Sequence, residues 1–138
     1  MFFGRDLYYK TWLTAMMRSV MIKIQIPYGQ YVAFGPGKAD LLDAIGRYGS
    51  ISAAAKSMGM SYKRAWELVS VMNSSFKQPV VITLVGGSHG GGATLTEFGS
   101  QVLSMYREIV AKSEQFVASE TDAFLSMLAP NISTDLSS

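Results

Sequence analysis

The chain is 138 residues long, 49% apolar and 16% charged, with no cysteine and one histidine. That is one domain's worth of sequence with enough apolar residues for a core, and it excludes a disulfide framework, thiolate chemistry and histidine-rich metal sites. The net charge of +2 hides an asymmetry: residues 1–77 carry ten basic and four acidic groups, residues 97–138 two basic and six acidic, which suits a front part that meets a polyanion.

Residues 1–19 form an N-terminal extension that matches no pattern. Arg5, Asp6, Lys10 and Arg18 interrupt its apolar run, so it has neither the unbroken centre of a signal peptide nor the roughly 18 apolar residues of a membrane span. A cytoplasmic protein without a membrane partner is expected. Residues 20–34, VMIKIQIPYGQYVAF, alternate as a β-hairpin turning at Pro27-Tyr28-Gly29. Residues 38–48 follow as a helix with Leu41, Leu42, Ile45 and Tyr48 on one face, stopped by Gly49. Residues 51–58 form a short helix capped by Ser50 or Ser52, and residues 61–74 a third helix capped by Ser61. A strand spans 80–85, a glycine-rich connector 86–92, and a returning strand 93–95. Thr96 then caps a long helix over roughly 97–128, closed by Pro130, and a polar tail occupies 130–138.

The stretch from Ile51 to Ser70 has the offsets of a helix-turn-helix. Ala54 and Ala55 let two helices approach, Gly59 supplies the turn, and Met58, Met60, Ala65, Leu68 and Val69 sit where apolar plugs belong. The third helix opens with Ser61-Tyr62-Lys63-Arg64, two cations at the end of a helix dipole that favours anions. A phosphate or the electronegative floor of the major groove would offset that cost. Arg64 has the fork for guanine, Lys63 the charge for phosphate or base, and the Ser61 and Tyr62 hydroxyls add hydrogen bonds. Ser50, Ser52 and Glu67 complete the candidate DNA contacts on this motif. Trp66 belongs either to the core or to the DNA face.

The 80–95 region is expected to form a two-stranded wing whose tip, Ser88, His89 and Gly90, touches the nucleic-acid backbone. The same loop is no P-loop, since no Gly-Lys-Ser/Thr follows, and it lacks the spaced dinucleotide fingerprint. No catalytic grouping is suggested by spacing: Asp40 and Asp43, three apart, are expected on a solvated helix face. The reading is therefore a non-enzyme without cofactor or metal.

From Phe98 the long helix carries an apolar stripe, with Val102, Met105, Tyr106, Ile109, Phe116 and Phe124 as candidate dimerisation residues. A helix of this length, near 50 Å at about 1.5 Å per residue, outruns a domain of roughly 14 Å radius of gyration. A second copy is the simplest cover for it.

Two blocks together, GSISAAAKSMGMSYKRAWELVSVMN and VGGSHGGGATLTEFG, resemble the N-terminal DNA-binding domain of ModE-type molybdate-responsive transcriptional regulators, a winged helix-turn-helix related to that of LysR-type regulators. The resemblance covers roughly residues 20–125. It implies a homodimer joined by the helix after LTEFG and bound to operator DNA, with Ser61, Tyr62, Lys63 and Arg64 opening the recognition helix and Ser88–Gly92 at the wing tip. Members of that family continue into oxyanion-binding domains. The chain ends at Ser138 before any such segment, so binding of molybdate or another oxyanion is not expected of it. Ser88-His89 also stands where the family often has a basic wing residue.

The expectation is a mainly α fold with small β: a winged helix-turn-helix with its N-terminal hairpin over 20–95 and a long C-terminal dimerisation helix over 96–129. Its expected function is homodimeric, sequence-specific binding of double-stranded DNA to regulate transcription. The alternative is a winged-helix module for protein interaction or dimerisation that does not bind DNA.

Overall fold

The computed structural model describes residues 20–85 and 91–130. In chain order these form β1 (Ile26–Tyr28), β2 (Tyr31–Phe34), α1 (Pro36–Tyr48), α2 (Ile51–Ser57), α3 (Tyr62–Ser75), β3 (Val81–Leu84), β4 (Gly92–Leu95) and α4 (Glu97–Leu125). The β-structure is two antiparallel ribbons, β1–β2 and β3–β4. The fold is mainly α with small β, in a winged-helix arrangement.

The chain divides into two compact units: one is Lys23–Val110, and the described residues of the other are 20–22 and 111–130. The first contains the core. Phe34, Leu41, Leu42, Ile45, Met72 and Val80 are its largest fully enclosed side chains, one or more from each of β2, α1 and α3 and from the approach to β3. An aromatic relay runs through it: Phe34 meets Tyr106 edge-on at 4.9 Å and Phe76 at 5.8 Å, and Phe76 meets Phe98 at 6.2 Å. Such edge-to-face pairs contribute about 0.5–1.5 kcal/mol each beyond their buried area. In the second unit the described part of α4 is mostly exposed, with Ser113, Val117, Thr121 and Leu125 half-buried.

The hairpin is shorter than its alternation suggests. Its ladder is confined to residues 26–34, and the turn falls at Gly29-Gln30, because Tyr28 pairs with Tyr31 and Pro27 with Val32. Pro27 has no N–H to give the ladder, and the register slips between Ile26 and Pro27, the irregularity a strand proline requires. Helix α1 starts at Pro36, two residues earlier than its apolar pattern indicates. Proline is at home in a first turn, where its missing N–H would have no partner. Tyr48, expected on the buried face, is 50% exposed; it occupies the last position before the Gly49 cap, where the helix has passed beyond the core.

Three joints hold the ribbon β3–β4 to the helices. Asn73, in the last turns of α3, accepts from the Val80 and Val81 amides at 2.8 and 3.2 Å and donates to the Val81 carbonyl at 3.0 Å. Thr96 caps α4 by accepting from the Gly99 amide at 2.8 Å, while its hydroxyl donates to the Pro79 carbonyl at 2.7 Å. Gly99 lies so close to Val80 that a Cβ there would overlap the Val80 carbonyl oxygen. The third joint is the Ala93 amide, which donates to the Gly49 carbonyl at 2.9 Å and ties β4 to the end of α1.

Candidate nucleic-acid interface

The α2–α3 corner is built from its turn outward. Helix α2 is capped by Ser50, whose hydroxyl accepts from the Ala53 amide at 3.0 Å; Ser52 is exposed and takes no part in the cap. The helix ends in a glycine-dependent motif. Gly59 has φ +68°, its amide donates to the Lys56 carbonyl at 3.2 Å, and the Met60 amide reaches back to Ala55 at 3.0 Å. These are the two bonds of a Schellman cap, and the left-handed φ between them favours glycine. Ala54, Ala55, Ala65 and Val69 are buried where the helices meet, and Met58, Met60 and Leu68 pack half-buried around them. The apolar plugs read from the sequence are all in place.

Ser61 caps α3 by accepting from the Arg64 amide at 3.1 Å. Its oxygen is thus committed to the helix end, as that of Ser50 is, although Ser61 remains exposed. Tyr62, Lys63, Arg64, Trp66 and Glu67 are all exposed along the first turns of α3. At about 100° per residue, the buried side is set by Ala65, Val69 and Met72. Lys63 and Glu67 lie opposite it, with Tyr62 and Trp66 on one flank and Arg64 on the other. Trp66, ambiguous in the sequence, is 51% exposed and is no core residue.

The cations sort into two groups. Arg47 is paired with Asp43 at 3.1 Å and Arg107 with Asp40 at 3.0 Å. Lys23, Lys56, Lys63, Arg64 and Lys77 have no ion-pair partner among the described residues, and Lys63 and Arg64 are the ones in the first turn of α3. Asp40 and Asp43 are thereby accounted for as partners of surface arginines. A further cation, Lys38 in the first turn of α1, joins the unpaired set. Its ammonium donates to the Val32 carbonyl in β2, and burial together with the neighbouring Arg64 charge holds its pKa below the usual lysine value. Lys38 was invisible as a site residue in the sequence because nothing local marks it; the packing of β2, α1 and α3 brings it beside Arg64. Lys63, Arg64 and the neighbouring Lys38 thus place positive charge at the start of α3 with no ion pair among the described residues, Glu67 lying one turn beyond Lys63, an arrangement that attracts phosphate. Among the described residues no three His, Asp or Glu side chains are placed to hold a metal ion, and no helix is long and apolar enough to cross a membrane.

Ser88, His89 and Gly90, expected at the ribbon's tip, lie outside the described residues. Below the tip the strands pair in register from Val81–Leu95 to Leu84–Gly92.

The long helix divides the candidate dimerisation residues. Tyr106 is 4% exposed: its ring packs on Phe34 and its hydroxyl donates to the Ile24 carbonyl at 2.8 Å. Val102 is half-buried against the same core. Both are occupied within the chain's own core, because the first turns of α4 cover that core and the apolar residues there serve that face. Met105, Ile109, Phe116 and Phe124 are 63%, 45%, 68% and 66% exposed.

A helix-turn-helix whose second helix opens on unpaired cations, followed by a two-stranded ribbon, defines the class as winged helix. No family model matches the chain. Curated relatives do. The chain is 46% identical over 85 residues to the molybdenum-pterin-binding protein MopB of Rhodobacter capsulatus, covering 62% of this chain and 32% of that protein. It is 45% identical over 69 residues to the molybdenum transport protein ModE of Azotobacter vinelandii, covering 50% and 26%. Against the DNA-binding transcriptional dual regulator ModE of Escherichia coli (strain K12) identity is 39% over 80 residues, covering 58% and 30%. The matched segment spans about a third or less of the length of these relatives.

Proposed function

We propose that the chain binds double-stranded DNA as a homodimer and regulates transcription. The carrying observation is the pair Lys63 and Arg64, exposed and without ion-pair partners among the described residues, at the start of the second helix of a helix-turn-helix. In this reading α3 enters the major groove, Lys63 and Arg64 meet phosphates or base edges, and Lys38 extends the positive surface toward the backbone. Tyr62, Glu67, Ser52 and the hydroxyls of Ser50 and Ser61 border the same corner, and the ribbon, with Ser88, His89 and Gly90 at its tip, reaches the adjacent backbone. Similarity to ModE of Escherichia coli, a DNA-binding transcriptional regulator by name, supports the reading. The exposed apolar residues of α4, Met105, Phe116 and Phe124 with Ile109, supply the surface for a second copy. A two-fold dimer reads a roughly palindromic site with half-sites about one helical turn, or a multiple of it, apart.

The test is selection of bound sequences from a random duplex pool, followed by fluorescence anisotropy on the selected site across salt concentrations. The expected result is a palindromic site, affinity that falls steeply with salt, and for Lys63→Ala a log–log salt slope smaller by about one. Retention of no duplex at low salt refutes the reading.

A further inference from the structure

Tyr62 and Trp66 stand out on α3. They are 56% and 51% exposed, large aromatic side chains on one flank of a helix whose buried face is set by Ala65, Val69 and Met72. Four residues apart, they lie one turn above the other and form a single aromatic strip. Lys63 borders that strip on the outward side, and no acid pairs with it among the described residues. An apolar strip beside unpaired cations matches a surface that offers apolar groups among anions. The major groove is such a surface: each thymine projects a C5-methyl there, between phosphate rows, and apolar side chains read it by contact.

We infer that Tyr62 and Trp66 are specificity-determining residues that contact thymine methyl groups in the major groove. The inference rests on the duplex-binding reading and deepens it by naming the base feature read. Lys63 and Arg64 supply attraction to phosphates or base edges, whereas the aromatic strip discriminates thymine from cytosine, which lacks the methyl.

Deoxyuridine separates the two contributions, because it pairs as thymidine does and lacks only the methyl. Wild-type protein is used to select a site from a random duplex pool, and each thymidine of that site is then replaced singly by deoxyuridine. At one or more positions per half-site the wild type should lose about fourfold in affinity, the equivalent of about 0.8 kcal/mol for one buried methyl. For Trp66→Ala or Tyr62→Ala the same replacement should have no effect, because the surface that felt the methyl has gone. About half of each side chain is covered, so the alanine variants should melt below the wild type, and affinities are compared at a temperature where all are folded by circular dichroism. Trp66→Phe should retain part of the discrimination. A selected site without required thymines overturns the inference while leaving duplex binding intact. So does deoxyuridine that weakens wild type and both alanine variants equally, which would place the methyl contact elsewhere. Full affinity and unchanged site preference in both variants overturns it as well, and assigns the strip to something other than DNA. Failure of the wild type to retain any duplex removes the underlying reading and the inference with it.

Discussion

Replacing Asn73 by alanine is the sharpest test of how the ribbon is held against α3. The side chain makes three hydrogen bonds to two consecutive backbone units, at 2.8, 3.2 and 3.0 Å. Val80 is fully buried and Val81 3% exposed, so water has poor access to the groups released. A buried polar group left without a partner costs about 1–3 kcal/mol. The Val80 amide bears that cost most fully; the Val81 amide sits at the longer distance, and the Val81 carbonyl keeps a second lone pair for other partners. The expected loss is therefore about 2–4 kcal/mol, counting one such group in full and the others in part. For a chain of this size that lowers Tm by about 10 °C. Urea unfolding should show the loss as a shift in midpoint at unchanged m-value. Asn73→Asp sharpens the argument: its carboxylate keeps both accepted bonds but turns an oxygen toward the Val81 carbonyl. The two accepted amide bonds favour the ionised form while the carbonyl opposes it, so the variant should keep part of the joint and fall between wild type and Asn73→Ala in stability. A loss below about 1 kcal/mol for Asn73→Ala, measured against the cost range above, refutes the view that this side chain carries the joint. An Asp variant as stable as the wild type refutes the assignment of its donated bond.

Two further outcomes follow from the same packing. Gly99→Ala drives a methyl into the Val80 carbonyl oxygen, a backbone atom that cannot swing aside, so urea unfolding should register a loss of about 3 kcal/mol, at the upper end for overpacking; a neutral substitution would mean that α4 does not approach β3 so closely. Tyr106→Phe removes the bond to the Ile24 carbonyl and should cost about 1 kcal/mol at neutral pH. Burial raises the Tyr106 pKa, with Asp40 adding to the rise and Arg107 opposing it. A raised phenol favours folding below the unfolded value near 10, and that contribution is lost as pH climbs through the folded value. Wild type should therefore lose stability more steeply than Tyr106→Phe in alkaline urea titrations, and parallel curves would refute the burial of a neutral phenol there.

The helix-turn-helix was legible because its determinants are local. Ser50 and Ser61 cap helices from one position before them, Gly59 turns the chain where a left-handed φ is needed, and the alanines and plugs follow helical spacing. Each of these acts over three to five residues, the range over which sequence alone dictates backbone conformation. The exposed cations of α3 were legible for the same reason, since their position relative to the cap places them in its first turn.

What tertiary structure decided are the contacts between residues far apart in the chain. Periodicity put Tyr106 in an exposed stripe, but Phe34 and Ile24, more than seventy residues earlier, enclose it. Period alone cannot tell which of two apolar faces on a long helix meets the chain's own core. Lys38 became part of the positive surface only when β2 and α1 brought it near Arg64, and Trp66 was assigned to solvent only when Ala65, Val69 and Met72 had filled the inner side of α3. Local chemistry determined which elements form and where they stop; burial, which depends on what distant segments leave uncovered, decided which side chains remain free to meet a partner.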